Sequence, residues 1–77
     1  MGKIVFNLGK TLDDLKITKN KLAVESKVRP ATIAQLVNGE SRRIELDTLT
    51  NILDALNRFD PNIGIKNIIE YQKSDQN

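Results

Sequence analysis

Six cations carry most of the chemistry this chain offers. Lys19, Lys21, Lys27, Arg29, Arg42 and Arg43 fall between residues 18 and 43, where only Glu25 and Glu40 oppose them. That segment holds a net +4 in a chain whose total is +2, so the remainder is net acidic. Charge of one sign gathered in a short stretch builds a local potential that attracts an anionic partner, even where the total is small. Acid–base, nucleophilic and metal chemistry are poorly served by comparison. With no histidine and no cysteine, the chain lacks the commonest general base, the thiolate nucleophile and two common zinc ligands. There is no glycine-rich phosphate loop, and the adjacent Asp13 and Asp14 read as solubilising charges on a helix surface. No catalytic residue, metal site or cofactor is expected, and the chain is not read as an enzyme.

The elements that must hold these cations are short and helical. At 77 residues the chain reads as one domain, residues 1–77, in a size class that buries only about 60% of the surface its unfolded chain exposes. Aromatic residues make up 4% of it, so aliphatic side chains must supply the core. Leu8, Leu12 and Leu15 recur at i, i+4 and i+7, which predicts one apolar face on a first helix with Asn7 as its N-cap. Thr18 is expected to cap a second helix over 19–26, with Leu22 and Ala23 turned inward. Isolated helices shorter than about 12 residues are marginal, so this one depends on its neighbours.

Pro30, with its fixed φ and missing N–H, suits the first position of a third helix over 30–38, and Gly39 suits a left-handed end. Ile33, Leu36 and Val37 make the buried stripe of that helix. A polar loop over 40–45 leads to a fourth helix, which Asp47 is expected to cap, with Leu49, Ile52, Leu53 and Leu56 inward. Asp60-Pro61 signals a further helix start that Gly64 cuts short. Lys3-Ile4-Val5-Phe6 is β-prone but too short to stand alone, so it reads as a strand or extended arm whose mate is the carboxyl end, around Ile68 to Tyr71. Ser74 to Asn77 read as a frayed tail.

The ordered run Thr18, Leu22-Ala23, Val28, Thr32-Ile33, Leu36 and Asn38-Gly39, followed by Leu46 to Leu49, Ile52 and Ala55-Leu56, resembles the Cro and lambda-repressor-like helix-turn-helix family of bacterial and phage regulators. The resemblance spans residues 7 to 60, most of the chain. It implies an all-α fold, a compact bundle of four to five helices with the helix-turn-helix unit over 18–39, to which the β-prone ends would add a short two-stranded pairing or extended arms. It also implies sequence-specific binding of double-stranded DNA, with the helix over 30–38 in the major groove. The positions matched to groove-facing ones are then Pro30, Ala31, Thr32 and Gln35. Gln35 is the best base reader, because its amide donates to and accepts from adenine together, while Thr32 and Ala31 offer a hydroxyl and methyl groups. Phosphate contacts fall to Lys19, Arg29, Asn38, Ser41, Arg42 and Arg43, which set affinity and register. One departure stands out: the family often has glycine in the turn where this sequence has Lys27, which must then take a positive φ.

One small reading helix discriminates poorly alone, so a homodimer is expected on DNA, with Phe59 and the isoleucine-rich carboxyl segment as candidate surfaces. No small-molecule substrate is evident. The chain shows neither a signal peptide nor an apolar run of the roughly 20 residues a membrane helix needs, so a cytoplasmic location is expected. The competing reading is a protein-interaction module on the same fold, antitoxin-like or a phage accessory protein.

Overall fold

The computed structural model describes residues 2–73. In chain order its elements are β1 (Lys3–Phe6), α1 (Leu8–Leu15), α2 (Lys19–Ser26), α3 (Pro30–Asn38), α4 (Leu46–Asn57), a single 3-10 turn (Ile65–Asn67) and β2 (Ile69–Gln72). Four helices therefore form the body, and the two strands pair antiparallel beside it, with Lys3 opposite Gln72 and Phe6 opposite Ile69. The expected pairing of the two ends occurs within one molecule. The expected frayed tail, 74–77, lies outside the described residues.

Leu8, Leu22, Ile33, Leu36, Ile52, Leu56 and Ile68 are fully enclosed, so every helix and the segment before β2 contribute to one core. Gly9 lets α1 and α3 approach, since a Cβ there would stand 3.2 Å from Cγ1 of Val37. Of the carboxyl isoleucines, Ile68 alone is fully enclosed; Ile63 and Ile69 are half-buried, and Ile65 and Phe59 are exposed. Much of the surface considered for a second copy is thus already used within the fold.

The first three helices end alike, each on a left-handed residue: Lys16 at φ 60°, Lys27 at φ 59° and Gly39 at φ 72°. After α1, the N–H of Lys16 donates to Asp13 O (3.1 Å) and that of Ile17 to Leu12 O (3.0 Å). After α3, Gly39 donates to Leu36 O (3.2 Å) and Glu40 to Gln35 O (3.0 Å). These are paired bonds of the Schellman type, which satisfy carbonyls the helix leaves open. Ile17 and Val28, each just past a left-handed lysine, pack against the core. Burial of these aliphatic side chains stabilises the turns enough to hold lysine where glycine is easier, so the family's tight turn forms on Lys27.

Two expectations about helix starts need correction, and a third holds for the position but not for the side-chain bond. Asn7 stands at the N-cap of α1, but its side chain makes no capping bond there; Nδ2 donates across the molecule to Lys66 O (3.1 Å) and Glu70 Oε1 (2.8 Å). The cap of α4 is Glu45, not Asp47. Glu45 is extended and its carbonyl accepts from Leu49 N, which brings Leu46 into the helix and puts Asp47 in the first turn, where its charge still complements the helix dipole. Asp60 accepts from Asn62 N (3.0 Å) and so closes a turn instead of opening a helix. Helical structure after Pro61 is limited to the 3-10 turn, because Gly64 before it is extended.

Candidate nucleic-acid interface

The helix-turn-helix unit comprises α2, the turn on Lys27 and α3. Thr18 starts α2 as expected, its Oγ1 accepting from Lys21 N (3.0 Å). The helix is closed at its other end by Arg58, which donates from the end of α4 to Glu25 O (2.7 Å) and lies 3.6 Å from the Glu25 carboxylate. A cation at the carboxyl end of a helix is favourable for the dipole as well as for the open carbonyls. Lys21 also lies 3.6 Å from Glu25, so the one carboxylate of α2 is flanked by two cations.

Ile33 and Leu36 bury one side of α3. Ala31, Gln35 and Asn38 are exposed, and their i, i+4, i+7 spacing places them on one opposite stripe. Pro30 is exposed at the first helical position, and Thr32 is half-buried at the margin of the stripe. The four positions matched to base reading are therefore available to a partner in unequal degree: three exposed, one partly covered. Asn38, assigned with the phosphate contacts, shares the stripe of Gln35 at the far end of the helix.

Cations precede and follow this helix in the chain. Lys19 is the first residue of α2, and Arg29 is the N-cap of α3 with no side-chain bond to that helix. Arg42 and Arg43 are exposed in the loop that follows α3. The ion pairs among the described residues are Lys10–Asp14, Lys21–Glu25 and Arg58–Glu25, so these four cations are engaged with no described carboxylate. Ser41 is half-buried and gives its hydroxyl proton to Arg43 O (3.0 Å). With its only proton committed, Ser41 braces the loop that carries the two arginines.

Two grooves border the surface. One of about 440 Å³ lies where α1, the start of α2 and the end of α3 meet, with Leu12, Ile17 and Val37 as its apolar lining and Thr18 and Lys19 at the amino end of α2. The other, about 280 Å³, is lined by Ile4, Phe6, Ile44 and Ile69 together with Ser41 and Arg42. The ribbon therefore abuts the arginine loop. Residues that sequence reasoning missed are those acting at long range: Arg58 on Glu25 and Asn7 on Lys66 and Glu70, pairs separated by 33, 59 and 63 positions. No local spacing signals such contacts.

Among the described residues there is no group of three or more side chains able to hold a metal ion, and no helix long and apolar enough to cross a membrane. A family model, the Cro/C1-type helix-turn-helix DNA-binding domain, matches residues 7–73, which takes in all four helices and β2. No curated protein and no solved structure matches the chain.

Proposed function

The chain belongs to the Cro/C1-type helix-turn-helix DNA-binding family, and from that premise we propose that it is a sequence-specific regulator of transcription that lays α3 in the major groove. The observation that carries the reading is the exposed stripe on α3, opposite its buried face and flanked in the chain by Lys19, Arg29, Arg42 and Arg43. An α-helix fits the major groove, and cations on both sides of it meet the two phosphate backbones. In this reading Gln35 pairs with adenine, Ala31 and Thr32 touch neighbouring base edges, and Pro30 contributes shape. Lys19, Arg29, Arg42, Arg43 and the amide of Asn38 bind phosphate, with Ser41 shaping the loop. The open N–H groups at the start of α2 add a further phosphate site. One α3 covers a half-site, so the chain acts as a homodimer on a two-fold operator, in the cytoplasm.

The decisive experiment compares two variants against random and selected duplexes over a range of salt. Arg42→Ala with Arg43→Ala weakens all duplexes alike and lowers the salt slope by about one per lost phosphate contact. Gln35→Ala spares non-specific binding and its salt slope, but loses about 1–3 kcal/mol of preference at one base pair. Unchanged affinity of the arginine variant at low salt sinks the clamp, and an unchanged selected sequence sinks Gln35 as reader. Salt-insensitive binding to a protein, with none to duplex, would favour an interaction module instead.

A further inference from the structure

Asn38 is followed by Gly39, and it is the only one of the chain's eight asparagines with a glycine after it; six precede Leu8, Lys21, Ile52, Arg58, Ile63 and Ile68, and Asn77 stands last. The following residue matters because its backbone nitrogen is the nucleophile that attacks an asparagine side chain, and a Cβ on that residue crowds the approach. At Gly39 there is no Cβ, and a site built for one meets nothing within 4 Å. Both residues are exposed at the end of α3, where helices fray. The Gly39 N–H is shared between Gln35 O and Leu36 O, and its bond to Leu36 O is 3.2 Å long, against 2.9 Å for the bond from Asp60 N to Leu56 O after α4.

We propose that Asn38 is a site of spontaneous hydrolytic modification, a deamidation that inserts a negative charge into the interface. When the cap opens, the Gly39 nitrogen gives its proton to solvent and bonds to Asn38 Cγ. The side-chain nitrogen leaves as ammonia, and a five-membered succinimide remains. Water then adds to either ring carbonyl and breaks one ring C–N bond, giving aspartate or the chain-lengthened isoaspartate. One water is consumed and one ammonia released, with no oxidation or reduction. The new carboxylate lowers the segment from 18 to 43 from +4 to +3. It also sits at the carboxyl end of α3, where the dipole disfavours an anion, and on the stripe that carries Gln35. The consequence for DNA rests on the proposed function; the chemistry does not.

The test incubates the full chain at mildly alkaline pH and quantifies amide-to-acid conversion at every asparagine by peptide mass spectrometry, separating aspartate from isoaspartate. Conversion at Asn38 well ahead of all other asparagines is expected, and conversion there no faster than elsewhere overturns the site. In parallel, Asn38→Asp stands in for one product and Asn38→Ser keeps a donor that forms no succinimide, with helicity and melting recorded for both. The aspartate variant binds duplex about five- to tenfold more weakly than the serine variant at low salt, a difference that shrinks as salt screens the charge, since both variants lack the amide and only one carries the anion. Equal binding by the two variants overturns the consequence. A parent that binds no duplex sinks the DNA reading and this consequence with it, while the rates still decide the chemistry.

Discussion

The helical body and the terminal ribbon are fastened by different physics. In the body, Leu22, Ile33, Leu36, Ile52 and Leu56 are removed from water, and α2 packs against both α3 and α4. In the ribbon, only four residue pairs face one another, and the outward Ile4 and Tyr71 are 59% and 61% exposed. What ties it down, apart from Ile68 and the partly buried Phe6 and Ile69, is a polar clasp. Thr11 donates to Asn67 O, Asn7 N donates to Ile68 O (2.7 Å), and the Asn7 amide reaches Lys66 and Glu70. Apolar packing is shared by all its members and fails together, whereas a clasp opens locally when one bond is lost. Helix α3 therefore belongs to the cooperative part of the molecule, and the ribbon to the part that loosens first.

Substitutions can break or sharpen this contrast. Leu36→Ala, in the body, should lower stability by about 2–5 kcal/mol and shift the whole thermal transition, because a buried leucine leaves both lost contacts and a cavity. An unchanged melting temperature would mean that α3 is not seated on the core. Thr11→Val, in the clasp, leaves Asn67 O without its donor and should reduce stability by about 1–3 kcal/mol. Hydrogen exchange should quicken across Ile69–Gln72 while amides of α2 and α3 stay protected; equal loss in both regions would refute the separation. The smallest effect concerns the turn itself. Lys27→Gly relieves the left-handed strain of a side chain but adds freedom to the unfolded chain, so chemical denaturation should show a gain of about 1 kcal/mol or less. DNA affinity should not change, since the turn already has the required geometry.

The parts that were legible follow from local rules. Thr18 as a cap, Pro30 as a helix start, Gly39 as a helix end and the i, i+3, i+4 aliphatic spacing of Ile33, Leu36 and Val37 each speak for themselves within one or two turns. The bonds that helix-start residues make have another cause. Asparagine and aspartate favour caps and turns alike, so Asn7 was free to bond Lys66 and Glu70, and Asp60 to close a turn on Asn62. The arginine loop was legible as charge, but not the brace on Ser41 that shapes it.

The sequence by itself determined the four helices, the buried stripe of α3 and the charged segment around it, because periodicity, caps and charge act between near neighbours. Only the tertiary structure decided which surface of that segment remains open. It drew Arg58 to the end of α2, took the Asn7 amide to Lys66 and Glu70, and seated the carboxyl strand on the amino one. Each of these depends on groups far apart in the chain meeting once the core has closed, and a buried polar group takes whichever partner the packed chain brings within reach.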